Sequence, residues 1–359
     1  MVAAGVDPHG DGEAERLEAD QVRSYDENGF LLLEGLISHA EVEDLRSEVQ
    51  RLLVLAAGRD AHDDLFDFEE SHCSSNPEPR VRRIKEPRLH SAAFERLTRH
   101  QAILGVCGRL LRSADLRRGD MKLNLKSAGY GSPVQWHQDW AFYPHTNDSI
   151  LAVGVFLDDV TPDHGPLLVM PGTHRGPLYS HHRRSDGLFV GGIDVEDCDL
   201  DFARGAVPLT ASAGSVSFHH VRLVHGSDLN RSGAARKIVF LEVAAADAWP
   251  LCGVANYTSF EEFMEARMLQ GRPTLRPRME ALPVAMPMPK TSDRRHQGSI
   301  YATQQLLERP FFRSLEAAGG GAIANGTAPI DAACERPAKR QRPRAGSEAA
   351  GVTVSGEKK

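Results

Sequence analysis

His137 and Asp139, two apart in PVQWHQDWAF (residues 133–142), are both residue types that bind metal ions. At the end of a strand, side chains alternate with period two, so this imidazole and this carboxylate project to one side and can reach one ion. The triplet alone is weak, because it also reads as a surface loop with an Asp capping a turn. The chain spells His-x-Asp again at residues 9–11 (HGD) and 62–64 (HDD), neither in a strand-like context. A third ligand must come from elsewhere, and His225 in LVHGSD (residues 223–228) closes another β-type run. Two imidazoles and one carboxylate form the facial triad that leaves positions open on Fe(II) for an organic ligand and O2. His219 and His220 lie near the same run and compete with His225, but neither has the downstream groups that follow it.

Those groups are Ser227, two beyond His225, and Arg236 at the start of RKIVFLEVAA (residues 236–245). A guanidinium on a β-barrel strand is costly to desolvate unless it binds an anion, and its planar fork matches a carboxylate. Metal ligands beside a carboxylate clamp meet the needs of 2-oxoglutarate, which chelates iron at one end and must be held at the other. The cofactor set this predicts is Fe(II), 2-oxoglutarate as cosubstrate, and O2.

These groups need a scaffold, and the chain has the means to build one. Its 359 residues are 41% hydrophobic, which suits one domain with tails. The formal charge of −7 suggests no polyanionic partner, so the partner expected is a small molecule, with no nucleic acid and no membrane, and the protein is expected as a monomer or homodimer. Five scattered cysteines without a C-x-x-C pair argue against a zinc ribbon or a disulfide framework. No basic start precedes an apolar run, and no stretch approaches the length of a membrane span, so a cytoplasmic protein is expected. Residues 1–17 and 317–359 have the composition of disorder, leaving 18–316 as the domain. PAKRQRPR (residues 337–344) is a basic cluster that reads as a solvated tail, with a nuclear address as the alternative.

Within the domain, residues 19–29 and 38–55 have helical spacing, with Ser38 as N-cap and Leu45, Val49, Leu52 and Leu53 on one stripe. GFLLLEGL (29–36) between them reads as a strand, and a further helical region spans about 91–112. From residue 121 the pattern changes to short apolar runs closed by Gly and Pro: MKLNLKSA, SILAVGVFLDDV, PLLVMPG, AVPLTA, GSVSFHHVRLVHG and RKIVFLEVAA. Many short strands without intervening helices predict a mainly β fold with flanking helices, a sandwich or jelly roll.

The sequence resembles the phytanoyl-CoA dioxygenase family of Fe(II)- and 2-oxoglutarate-dependent oxygenases, which includes the ectoine hydroxylases. The resemblance spans about residues 20–313 and rests on QVRSYDENGFLLLEGL (21–36), WHQD (136–139), LDDV (157–160), GPLLVMPGTH (165–174), and His225-x-Ser227 with Arg236. It implies a double-stranded β-helix, a cupin-like jelly roll with the metal inside its mouth. It implies His137, Asp139 and His225 as iron ligands and Arg236 with Ser227 as the clamp for the 2-oxoglutarate C5 carboxylate. Asn124 and Gln138 are similar to positions that contact the cosubstrate. The activity implied is hydroxylation of an unactivated C–H bond of a small organic substrate. Halogenating relatives carry a small residue where Asp139 stands. One departure is AVGVF (152–156), where the family often has an aromatic residue.

Several further expectations follow. Desaturation, epoxidation or cyclisation would use the same site; a jelly-roll binding or sensor protein without turnover, or a zinc hydrolase, are rivals from other classes. Trp136 and Trp140 read equally as core or as substrate wall. His174 is expected to hydrogen-bond across its turn. RVRRIKEPR (80–88) reads as a solvated face or an anion-binding rim, and DDLFDFEE (63–70) as a mobile acidic loop, even a lid. Residues 247–257 and 294–301 are expected to line the pocket.

Overall fold

The computed structural model describes residues 17–313 apart from 77, 130, 255–256 and 287–299. Residues 1–16 of the expected N-terminal arm, the tail from 317 with its basic cluster, and residues 294–299 of the expected pocket lining lie outside the described residues.

Helices lead the chain. Helix α1 (Ala19–Asn28) ends at Gly29, whose φ of 80° lets its N–H reach the Tyr25 carbonyl at 2.7 Å. Helix α2 (His39–Leu55) starts in a capping box: the Ser38 hydroxyl accepts the Glu41 N–H, and the Glu41 carboxylate accepts the Ser38 N–H. Its stripe of Val42, Leu45, Val49 and Leu52 is buried. The helical region expected near 91–112 is two helices, α3 (Ala92–Thr98) and α4 (Gln101–Leu111), because His100 adopts an extended conformation between them. The Arg99 side chain holds that break by donating to the carbonyls of Met268 and Leu269. Among the described residues, three short α-helices follow, α5 (Phe202–Gly205), α6 (Phe260–Arg267) and α7 (Ile300–Gln304). No helix among the described residues is long and apolar enough to cross a membrane.

The strands are β1 (Phe30–Leu33), β2 (Phe66–Phe68), β3 (Val81–Lys85), β4 (Leu116–Lys126), β5 (Val134–His137), β6 (Ile150–Phe156), β7 (Leu167–Val169), β8 (Val207–Leu209), β9 (Val216–His220), β10 (His225–Ser227), β11 (Arg236–Ala245) and β12 (Met268–Gln270). One antiparallel sheet runs β1-β9-β6-β11-β4-β3-β2, with β12 also on β4; a smaller one runs β5-β10-β7-β8. The two sheets make the antiparallel jelly roll that the strand pattern predicts, a double-stranded β-helix with helices on one side.

Alternation divides the larger sheet into two faces. Leu123, Leu125, Leu151, Val153, Val155, Phe218, Val239 and Leu241 point outward and share one buried cluster with the α2 and α4 stripes. Phe156, Ile238 and Phe240 point inward and pack with Leu167, Val169 and Leu209 of the smaller sheet. At one end of the inner face, polar residues replace the apolar ones, and the site lies there.

The expectation of a mobile acidic loop at 63–70 is corrected. Residues 66–68 are β2, paired with β3; Phe66 and Phe68 are buried, and Asp67 meets Arg83 at 2.5 Å and Lys85 at 3.3 Å. Most of 80–88 is not a solvated face: Arg82 faces Glu69 at 3.6 Å and lies over the Tyr301 ring, and Arg88 pairs with Glu86 at 2.7 Å, whereas Arg83, paired with Asp67, lines the cavity described below, as the anion-binding alternative expects of this segment. Two charge runs that look separate in sequence neutralise each other across a strand pair.

Candidate metal centre

Strands β5 and β10 are antiparallel, and their register sets His137 directly opposite His225. Each ring is anchored in the same way, by Nδ1 on the carbonyl two residues earlier: Gln135 at 2.8 Å for His137 and Leu223 at 2.9 Å for His225. With Nδ1 donating, Nε2 carries the free lone pair. Asp139 opens a tight turn just past β5, and its Oδ1 stands 3.6 Å from Nε2 of His137 and 3.9 Å from Nε2 of His225. Ligand atoms of the three residues, all buried, lie within 4.8 Å of one another. Two imidazoles and a carboxylate at that spacing suit a divalent transition metal with positions to spare.

Electrostatics favour the same occupant. Burial pushes the Asp139 carboxyl up, but the neighbouring His225, then His137 and His219, outweigh it and hold the group well below the usual carboxylate range. Burial, then His137, pushes His225 well below the ordinary histidine range. An ionised carboxylate beside a neutral imidazole is the protonation state a cation requires.

These three residues line a cavity of about 50 Å³ together with Asn124, Ser227 and Arg236. Arg236 is 3% exposed; its Nη1 donates to the Gly165 carbonyl at 3.1 Å, and its Nε is buried without a partner. Burial pushes this guanidinium down to about 10, so it is still charged at neutral pH, and no carboxylate among the described residues forms an ion pair with it. Asn124 Oδ1 is likewise buried and unpartnered. A carboxylate-bearing ligand would satisfy the guanidinium.

Gln138 is not brought to the cavity. Its amide donates to the carbonyls of Arg222 (2.8 Å) and Pro177 (3.1 Å) and accepts the Tyr179 N–H (2.9 Å), so it holds the 177–181 loop in place. Both tryptophans are core: Trp136 stacks on Phe202, and Trp140 is fully buried with Nε1 on the Pro283 carbonyl. His174 bonds farther than its own turn, to the Asp26 carbonyl at 3.2 Å, with its ring against Gly29, where any Cβ would collide with it. Among described residues of 247–257, none lines the cavity, whereas Ile300 does. Sequence reading passed over Lys122 and Glu242, which also line it. The missed signal is parity: Lys122 alternates with Met121 and Leu123 as Asn124 does, and Glu242 shares Arg236's face.

The family model for phytanoyl-CoA dioxygenase matches residues 25–238. A Stutzerimonas stutzeri protein named "Probable alpha-ketoglutarate-dependent hypophosphite dioxygenase" is 35% identical, over 82% of this chain and 99% of its own length. An ectoine dioxygenase of Bordetella parapertussis is 30% identical over 67% of this chain and 80% of its own. Among solved structures, EctD from S. alaskensis with 2-oxoglutarate and 5-hydroxyectoine is similar, with a TM-score of 0.55 and 26% identity over 75% of this chain and 88% of that one.

Proposed function

The chain belongs to the phytanoyl-CoA dioxygenase family, and from that premise we propose that it is an Fe(II)- and 2-oxoglutarate-dependent dioxygenase that hydroxylates an unactivated C–H bond of a small organic substrate. The observation that carries this reading is the convergence, on one cavity, of three ligand atoms and a buried guanidinium with no ion pair among the described residues.

In this reading His137, Asp139 and His225 hold the iron, and the Gln135 and Leu223 carbonyls keep both imidazoles turned toward it. Arg236 and Ser227 receive the far carboxylate of 2-oxoglutarate, and Asn124 borders the cosubstrate. Iron held by His137, Asp139 and His225 would supply the oxidation, with one atom of O2 entering the substrate as X–OH, the other entering succinate, and 2-oxoglutarate losing CO2. The chain positions the reactants and excludes water, while the Asp139 carboxylate fills a coordination position that halide transfer would need open.

A second reading replaces the C–H bond by a P–H bond. It is favoured by the 35% identity to the hypophosphite dioxygenase, which extends over nearly all of that relative.

The test is an anaerobic titration of apo-protein with Fe(II) and 2-oxoglutarate, followed by calorimetry and visible absorption, then aerobic turnover with candidate substrates. The expected result is one cosubstrate per chain, lost in Asp139→Ala and Arg236→Ala, and succinate formed in excess of protein. Uptake unaffected by both substitutions would overturn the site, and restoration by Zn(II) in place of Fe(II) would point to a hydrolase.

A further inference from the structure

Besides Arg83, which is paired with Asp67, three polar groups face the cavity that neither the metal nor the cosubstrate clamp uses. His219 and Glu242 lie on one cross-strand row with Ala152 between them, as β9 pairs with β6 and β6 with β11. Lys122 sits on the next row, opposite Phe240. All five line the cavity that holds His137, Asp139 and His225.

None of the three is explained by packing. His219 is 1% exposed, yet neither ring nitrogen has a hydrogen-bond partner; its Nε2 stands 3.7 Å from Asp139 Oδ2, beyond bonding distance. Its ring centroid is 4.6 Å from that of His225, which puts it beside the metal position rather than behind it. Lys122 is half-buried and makes no hydrogen bond or ion pair within 4 Å to another described residue, though its charge acts on Asp139 and Glu242. Glu242 is half-buried, with Oε2 at 3.4 Å from the Asp120 N–H. Burial, reinforced by Asp120, pushes its carboxyl up to about 8, so at neutral pH it is mainly a neutral acid and forms no ion pair with Lys122. An ammonium, an imidazole and a carboxylic acid then present donors around a floor that is only a methyl group. Unmet donors facing a cavity call for an acceptor, and a cation with no ion-pair partner among the described residues calls for a negative one. The cavity, about 50 Å³, favours a small one.

We propose that the substrate is a small oxyanion carrying the oxidisable hydrogen, seated over Ala152 with its oxygens received by Lys122, His219 and Glu242. This rests on the dioxygenase reading and narrows it to a substrate class. Small phosphorus oxyanions and small carboxylates share the chemistry, and hypophosphite and propionate serve as probes of the two.

The test is anaerobic calorimetry on the full chain with Fe(II) and saturating 2-oxoglutarate, into which hypophosphite, propionate or ectoine is titrated. Hypophosphite or propionate should bind one per chain, and whichever binds identifies the source. Lys122→Gln and Ala152→Leu, the second of which fills the seat without touching a donor, should each weaken it by about tenfold or more. Both variants should take up 2-oxoglutarate as the parent does, which shows that each is folded. Wild-type protein that binds 2-oxoglutarate but neither oxyanion, that prefers ectoine, or that binds the oxyanion equally well as Lys122→Gln overturns the inference. Wild-type protein that takes up no 2-oxoglutarate overturns the dioxygenase reading itself.

Discussion

His219 and His220 are neighbours on β9, and the strand sends them to opposite faces of one sheet. His220 faces a cleft of about 470 Å³ beside α1 and α4, far larger than the metal cavity. Its Nε2 stands 3.8 Å from Asp148, which also binds Arg222 at 3.0 Å, and its Nδ1 accepts the Arg222 N–H at 3.1 Å. His219 faces the smaller cavity and finds no partner. Size therefore points to the wrong side of the sheet, and unmet hydrogen-bonding capacity points to the right one. The outer face uses polar side chains to join helices and turns to the sheet, whereas the inner face keeps them available.

The comparison breaks if substitutions on the two faces have like effects. The largest effect is expected at Asp139→Ala, which should lower succinate formation more than about a hundredfold, since even outer partners of metal ligands cost tenfold to a hundredfold. Arg236→Ala should raise the apparent Kd for 2-oxoglutarate by about a hundredfold in calorimetry, as loss of a charged bidentate contact implies about 3 kcal/mol. On the outer face, Asp148→Asn should leave Fe(II) and 2-oxoglutarate uptake intact and cost about 2 kcal/mol in urea unfolding, because Arg222 and His220 lose their shared partner. Gly29→Ala should cost about 1–3 kcal/mol in the same assay, since it forces a side chain into φ 80° against the His174 ring.

A pH titration sharpens the contrast further. Burial pushes His145 and His181 down to about 3 and His220 to about 4, well under the unfolded histidine value. The unfolded chain then binds protons that the folded chain refuses as pH falls below about 6.5. Apo-protein stability should decline from there toward pH 4, and His220→Asn should flatten part of that decline. A midpoint of urea unfolding that is constant from pH 7 to 5 would contradict this.

Much of the site was legible in the sequence because strand alternation is a local rule. His137 with Asp139, and His225 with Ser227, are each two apart; the single run expected over 214–226 divides into β9 and β10, and residues 134–137, not among the apolar runs, form β5. Lys122 and Glu242 obey the same parity, but a lone Lys or Glu on a strand ordinarily means a solvent-facing side, so sequence offers no reason to turn them inward. Gln138 was misplaced for the opposite reason. Lying between two residues that face the cavity, it must point the other way, where three backbone groups take its amide. The acidic 63–70 segment was read as a loop because its charges hid the alternation of Phe66 and Phe68, and the partners that neutralise it lie in another segment.

Residue types and their spacing determined by themselves the strand-rich architecture, the helices that precede it, and the two short motifs that carry the chemistry. Those features depend on neighbours within a few positions, through periodicity, caps and turns. Tertiary structure alone decided that β5 lies against β10 with His137 opposite His225, and that Arg236 is buried beside them. It also decided that His219 and not His220 shares their cavity. Register and facing arise from which strands pair across long separations, and only the packed sheets, with an apolar outer face committed to the helices, settle which side of β9 looks inward.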